Sequence, residues 1–213
     1  MEFLQTVIKF FQSGGYFMYP ILIMLALGIS IAIERYISLS RSRSQNNRTW
    51  VRITPALQAG NYQAALKEAE DDQTAVGRVL NAGLTRLKSS SNRNDVEMAM
   101  EETLMESIPQ LEKRTHYLAT LANVATLMGL LGTIIGLIQA FTAIANVNPA
   151  EKADLLSASI SVAMNTTAFG LMAAIPLLLI HAVLQTKTTE LVDSLEMVVV
   201  KFLNALDTGK DNG

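Results

Sequence analysis

Charged residues are absent from three stretches of the chain, 16–33, 117–150 and 155–186. A helix crosses the hydrocarbon core of a bilayer with about 20 predominantly apolar residues. The second and third stretches exceed that length, and the first, YFMYPILIMLALGISIAI, just meets it. Elsewhere the apolar positions recur at helical spacing among polar ones. Tyr62, Ala65, Leu66 and Ala69 form one stripe, and Val76, Val79, Leu80, Leu84 and Leu87 another. SSSNRND interrupts the pattern, with Asn94 or Asp95 as the expected cap of the next helix. That helix is expected to run toward the membrane with a kink at Pro109. Beyond the third stretch, Leu191, Leu195, Val198, Phe202 and Leu206 continue at steps of three and four. This stripe suits packing on the loop helices or on a neighbouring subunit. The pattern predicts an all-α integral membrane protein with transmembrane helices over 15–37, 116–145 and 155–186. A helical cytoplasmic domain over 38–115, a turn over 146–154 and a helical extension with a tail over 187–213 complete it. The amphipathic start, with Phe3, Leu4, Val7, Ile8 and Phe11, predicts a short interfacial helix over 1–14 rather than a secretory signal.

Charge sets the expected orientation. Arg35, Arg41, Arg43, Arg48 and Arg52 crowd behind the first span, whereas the 146–154 turn carries only Glu151, Lys152 and Asp154. Positive charge beside span ends marks the cytoplasmic side. The N-terminus and the turn are therefore expected outside, and 38–115 and the C-terminus inside. Glu34 and Arg35 read as an interfacial pair closing the first span. A net charge of −2 gives no basic excess for a nucleic acid. The sequence has no cysteine, and its two histidines, His116 and His181, lie far apart, so no metal or cofactor is expected. No G-x-S-x-G, H-E-x-x-H or Walker motif occurs, and the expectation is a protein that is not an enzyme.

The second and third spans each carry one small, partly polar face. In the second, Ala122, Thr126, Gly129, Thr133, Gly136 and Ala140 recur at steps of three and four. In the third, Ser159, Ala163, Thr166, Thr167, Gly170 and Ala174 do the same. Small residues let helices approach closely, and Gly132-xxx-Gly136 has a spacing typical of such contacts. Threonine hydroxyls also bond readily to the carbonyl one turn back. Helix packing is thus one reading of the faces. A hydrated ion path is the other, favoured by threonine on matching faces and by the run Asn165-Thr166-Thr167. An ion route normally needs a titratable group, and neither span contains a carboxylate. Any such group would belong to another chain.

GLLGTIIGLIQAF at 129–141 and TTAFGLMAAIP at 166–176 resemble, in this order, the second- and third-span signatures of the ExbB/TolQ/MotA family. The likeness is to the three-span ExbB/TolQ type, and GNYQAALKEAE and YPILIMLALGISIAIERYISL fit its loop and first span. The resemblance implies an inner-membrane subunit of an ion-driven energy transducer. It implies a homo-oligomeric ring, a pentamer, around the paired helices of a single-span ExbD/TolR/MotB-like partner. The partner's intramembrane aspartate would carry H+ or Na+, and the work would pass to a periplasmic or outer-membrane client. Thr133 and Thr167 match the family's threonines near that aspartate, and Thr166 is the preceding pore-facing candidate. Val162 stands where many ExbB/TolQ sequences carry glutamate, and Thr126 where many carry proline. The alternative from another class is an oligomeric membrane scaffold that moves no ions.

Overall fold

The computed structural model describes residues 10–11, 14–90, 92–145, 148–149 and 151–211. The interfacial helix expected over 1–14 falls mainly outside these residues, as do part of the 146–154 turn and the end of the tail. The elements are helices α1 (Met18–Gln58), α2 (Tyr62–Glu70), α3 (Ala75–Ser89), α4 (Arg93–Glu112), α5 (Thr115–Ile144) and α6 (Lys152–Asp211). No strand occurs among the described residues. The chain divides into two compact units, Met1–Glu34 with Arg114–Val183, and Arg35–Lys113 with Leu184–Gly213. Helices α1 and α6 each contribute to both.

The first unit holds the charge-free runs 16–33 and 117–150 and the third run as far as Val183. Three helical stretches are long and apolar enough to cross a membrane, and only 22%, 22% and 28% of their apolar windows is buried within the chain. Most of their apolar surface therefore faces outward, as a span in lipid or against other subunits requires. Pro20 sits in the first turn of α1, where a missing N–H breaks no helical bond. Ile21, Ala125 and Ala173, one from each run, are fully buried together, with Met24, Leu25, Met128 and Phe169 packed around them. The Phe169 and Phe11 rings also meet edge to face, 5.6 Å between centroids.

The second unit resembles a water-soluble helical domain, with one buried face per helix. Helix α1 ends in a reverse turn at Gly60, whose φ is 68°. The Gly60 N–H bonds the Leu57 carbonyl and the Asn61 N–H the Ala56 carbonyl, closing the open carbonyls of the helix end. A side chain at Gly60 would meet nothing within 4 Å, so the left-handed backbone alone calls for glycine here. Asn61 then opens α2 by accepting from the Ala64 N–H at 3.0 Å. Ile53, Leu66, Val79, Leu80, Val96 and Met100 fill the core between these helices.

Leu191, Leu195, Val198, Phe202 and Leu206 join the same core, all at most 6% exposed. A methyl group on Gly83 of α3 would lie 3.3 Å from the Phe202 ring. Of the two expected partners, the C-terminal stripe thus packs on the chain's own loop helices. The expected cap of α4 is corrected. The cap of α4 is Asn92, which accepts from the Asn94 N–H at 3.1 Å, whereas Asp95 accepts from the Ser90 hydroxyl at 2.6 Å. Asp95 serves instead as a carboxylate in the first turn, beside the positive end of the helix. Helix α4 continues through Pro109, where the kink is expected, to Glu112. Proline removes one backbone bond, but Ser107 and Leu111 are buried on either side and hold the helix to Glu112. The chain leaves helical space only at Lys113 and at Arg114, whose φ is 66°. Glu34 and Arg35 each have a partner elsewhere in the chain. Glu34 meets Arg114 at 3.6 Å, and the buried Arg35 guanidinium donates to the Leu111 carbonyl. Helix α1 continues unbroken past both residues to Gln58.

Asp72 ties the α2–α3 corner to α1. It accepts from the Thr49 hydroxyl at 2.7 Å, from the Thr74 N–H at 2.8 Å and from Arg52. Its side chain is 8% exposed. Burial pushes the carboxyl up, but hydrogen bonds from Thr74 and Thr49 and the Arg52 charge outweigh it, and the pKa ends below its ordinary value of 3.8. A depressed carboxylate contributes stability above its unfolded pKa, about 3.9, and loses it as pH falls through the folded value. Asp72→Asn is expected to lower stability at neutral pH by about 2 kcal/mol, the scale of hydrogen bonds to a charged group. The deficit should shrink as the pH is brought below about 3.9. Thermal unfolding in detergent, followed by circular dichroism over a pH series, reads both; an equal deficit at every pH would show that the charge is irrelevant.

Candidate functional site

The polar faces of α5 and α6 meet along one seam. At its centre the two backbones nearly touch. A methyl group built on Gly170 would lie 2.8 Å from the Ala125 carbonyl oxygen and 3.0 Å from Gly129 Cα. One built on Gly129 would lie 3.2 Å from Thr167 Cα and 3.3 Å from Gly170 Cα. Gly136 faces Ala163 and Gly132 faces the Thr166 methyl, so the wider Gly132-xxx-Gly136 spacing also lies on the contact. The closest backbone approach, however, is the Gly129–Gly170 crossing. This is backbone approach of the kind small residues permit in membranes.

That approach brings two hydroxyls together. Thr167 Oγ1 donates across the seam to the Gly129 carbonyl at 2.9 Å. Thr133 Oγ1 lies 3.2 Å from the same carbonyl, 3.5 Å from the Ala163 carbonyl, and in direct hydrogen-bond contact with Thr167 Oγ1. Each hydroxyl has one proton, and two protons suffice for this set. Thr167 donates to Gly129 and Thr133 donates to Thr167, which leaves oxygen lone pairs unused. Both residues are half-buried within the chain. The arrangement can accept a hydrogen bond from water, or offer oxygen to a hard cation.

The remaining predicted residues divide by role. Thr166 is 2% exposed. Its hydroxyl lies 2.6 Å from the Gly14 carbonyl and 2.9 Å from the Val162 carbonyl, so its single proton fastens the N-terminal turn to α6. It does not join the Thr133–Thr167 pair. Thr126 bonds back to the Ala122 carbonyl at 3.1 Å. Ala122, Ala140, Ala163 and Ala174 are buried, and Ser159 is half-buried. Glu34 and Arg35 lie away from the seam, in the contacts described above. Gly14 was missed as a contributor. Its carbonyl is 152 positions from Thr166, and a backbone oxygen leaves no trace in side-chain spacing. Val162 lies at this end of the seam too, 3.3 Å from where a Gly15 side chain would begin.

Comparison with known proteins bears on this seam. Residues 71–197 match the family model described as the MotA/TolQ/ExbB proton channel family, a span that includes the whole of α5 and the seam half of α6. An ExbB homologue of Methanothermobacter thermautotrophicus is 28% identical over 200 residues, covering 93% of this chain and 70% of its own. An ExbB-like protein of Synechocystis is 30% identical over 188 residues, covering 86% of this chain and 72% of its own. The Tol-Pal system protein TolQ of Haemophilus influenzae is 38% identical over a shorter 78 residues, 37% of this chain and 34% of its own.

The crossing makes its own prediction. In Gly170→Ala the new methyl meets backbone atoms, which cannot swing aside, so the helices must part. The expected loss of stability is about 1–3 kcal/mol, the range for overpacking a tight contact. Gly136→Ala, which would meet only the Ala163 methyl at 3.1 Å, should cost less. Denaturant titration of both variants in detergent measures the difference, and a Gly170→Ala protein as stable as wild type would disprove the close crossing.

Proposed function

The chain belongs to the MotA/TolQ/ExbB proton channel family, and from that premise we propose that it is the channel subunit of an ion-driven, energy-transducing complex of the inner membrane. It is a multi-pass membrane protein with three apolar helices. In the proposed complex a ring of five copies surrounds two helices of a single-span ExbD/TolR/MotB-like partner. The ring passes H+ or Na+ along the α5–α6 seam to an aspartate of that partner. The partner then does work on a periplasmic or outer-membrane client. The chain itself acts as no enzyme and holds no cofactor.

The observation that carries this reading is the Thr133–Thr167 pair over the Gly129 carbonyl. It puts unused oxygen lone pairs in two charge-free runs that lack any carboxylate of their own. Transfer of one charge across the membrane releases about 2.3 kcal/mol per 100 mV. A few oxygen contacts are enough to set the barrier on that scale. Thr166, turned to Gly14, has a smaller part in the reading than the other two. The exposed apolar rows on α5, with Leu127 at 62% and Ile138 at 59%, leave surface for lipid and for neighbouring copies. The arginines of α1 that follow the first span support a cytoplasmic second unit. One observation favours the second reading, an oligomeric scaffold: both hydroxyl protons are already satisfied inside the chain.

Valine in place of threonine keeps the β-branch and removes the hydroxyl, which separates the two readings. Thr133→Val and Thr167→Val are expected to reduce ion flux about tenfold or more, the loss if one hydrogen bond of about 1.5 kcal/mol acts at the barrier. Insertion and oligomer size should be unchanged, and Ile138→Val should be silent. The measurement is flux into proteoliposomes containing the chain with its single-span partner, at matched protein levels. Full flux in both threonine variants would leave only the scaffold.

Orientation is tested separately. A cysteine at Asn148 should react with a membrane-impermeant thiol reagent in intact cells, and one at Asn47 should react only after lysis. The reverse pattern would invert the assignment.

A further inference from the structure

In the unit formed by Arg35–Lys113 and Leu184–Gly213, helices α1 and α6 run parallel and leave a groove of about 580 Å³ between them. Buried Leu39, Val76 and Val198 form its floor, and Ser40, Ser44 and Asn47 of α1 and Ser194 of α6 line its sides. Arg43 and Glu190 pair across it at 2.9 Å and cancel. Lys187 and Lys201 remain. Lys187 lies 4.7 Å from the centre of the Tyr36 ring, and Lys201 lies 5.9 Å from that of Trp50. A ring attracts a cation without neutralising it. Neither lysine pairs with a carboxylate among the described residues, and Glu190 is the only carboxylate in the lining. The groove is therefore positive. Its two lysines are 14 residues apart on α6, about 21 Å of helix, which suits an elongated occupant rather than a compact ion.

Helix α4 of the same unit carries the opposite charge on an outward face. Met98, Glu101, Glu102, Met105, Glu106 and Glu112 share one side of the helix, and all are exposed. The two methionines are 66% and 67% exposed. The four carboxylates make no ion pair among the described residues. This stripe is the reverse of Val96, Met100 and Leu104, which are buried in the unit's core, so it cannot turn into its own chain's groove.

Two ties fix the register of α4 against α1 and α6, in the reverse direction. Arg35 donates to the Leu111 carbonyl at one end, and Arg93 pairs with Asp207 at 3.4 Å at the other. Met105 is six residues from Leu111 and Ser40 five from Arg35; Met98 is thirteen from Leu111 and Asn47 twelve from Arg35. The stripe and the groove therefore stand at the same height along the helices, to about one residue's rise. Rotation about an axis parallel to the helices carries one onto the other without a shift along that axis, as a closed ring requires.

We propose that the groove's occupant is a second copy of this chain: the Met98–Glu112 stripe of one subunit docks, head to tail, between α1 and α6 of the next. The proposal rests on the reading of the chain as a ring subunit and adds the two surfaces that join. Met98 and Met105 enter the groove beside Asn47 and Ser40, and the glutamates supply the counter-charge that Lys187 and Lys201 lack. The contact lies outside the threonine seam and does not depend on ion conduction.

The test is disulfide cross-linking of the full chain in membranes with copper phenanthroline, in a sequence that has no cysteine of its own. Met105→Cys combined with Ser40→Cys should give a ladder from dimer to closed ring, and so should Met98→Cys with Asn47→Cys. Each single variant should give no dimer, because the two surfaces differ, and the mismatched pair Met98→Cys with Ser40→Cys should give far less. In a Lys187→Glu, Lys201→Glu background the ladder should fall about tenfold, since like charges then face each other. Adding Glu101→Lys and Glu106→Lys should restore it. Native mass spectrometry of the uncross-linked samples in mild detergent separates the two readings. A closed oligomer that yields no ladder overturns this contact and leaves the ring; a monomer overturns both. Dimers from the single variants, or a ladder undiminished by the charge reversal, also overturn the proposal.

Discussion

The Thr133 hydroxyl donates to Thr167 Oγ1, and the Thr167 hydroxyl in turn donates across the seam to the Gly129 carbonyl. The second bond requires the backbones to be almost in contact, which Gly129 and Gly170 permit by having no side chain. An added methyl on either would push Thr167 out of reach of that carbonyl. The sequence offered helix packing and a polar path as competing accounts of one small-residue face. The geometry joins them. Tight packing is what assembles the hydroxyl pair, and the pair in turn satisfies polar groups that would be costly to leave unmade in lipid. A variant that loosens the crossing therefore removes the polar arrangement along with the contact.

The two units use helices under different rules. In the first, apolar side chains point outward, and stability comes from small-residue contacts and from the cluster of Ile21, Ala125 and Ala173. In the second, apolar side chains point inward, and caps and turns are built carefully. Gly60 closes one helix while Asn61 opens the next, and Thr74 caps α3 by accepting from the Gly77 N–H at 3.0 Å. Thr74 also bonds Asp72 through its own N–H, so capping and the Asp72 corner form one network with Thr49 and Arg52. Loss of water explains the contrast. Lipid solvates apolar surface but no backbone group, so the first unit relies on unbroken helices, whereas the second can have corners because water and side chains satisfy their ends.

The three spans were legible because a charge-free run is a one-dimensional signal, and so were the small faces, which repeat with the helix. The C-terminal stripe from Leu191 to Leu206 was legible as a buried face, but not what it buries against. Amphipathicity reports that a face is covered and is silent on what covers it. Local rules also chose wrongly between near neighbours. Asn92, Asn94 and Asp95 are all good cap residues, and the choice follows from Ser90 engaging Asp95. Arg35 and Leu111 are 76 positions apart, and Gly14 and Thr166 are 152 apart, each joined through a backbone carbonyl. Such contacts carry no residue-type pattern, so the buried role of Arg35 and the inward turn of Thr166 become visible only in three dimensions.

The chemistry of the seam sets what it can contribute alone. Thr133 and Thr167 supply oxygen, and neither ionises at any physiological pH. At the end of the seam near Gly14 the chain has Val162, whose side chain packs toward Gly15 while its carbonyl lies within reach of the Thr166 hydroxyl. A carboxylate at this position would have to compete with that packing or find its own partner; valine keeps the seam neutral from Thr126 to Val162. A neutral pair of hydroxyls can lower the cost of a nearby charge but cannot hold one, because a charge in lipid without a counter-charge is expensive however well its oxygens are arranged. If an ion crosses at this seam, its counter-charge comes from another chain. The seam's own task is then positional: to keep two oxygens at a fixed separation, which the rigid crossing of Gly129 and Gly170 does more reliably than a flexible side chain on one helix.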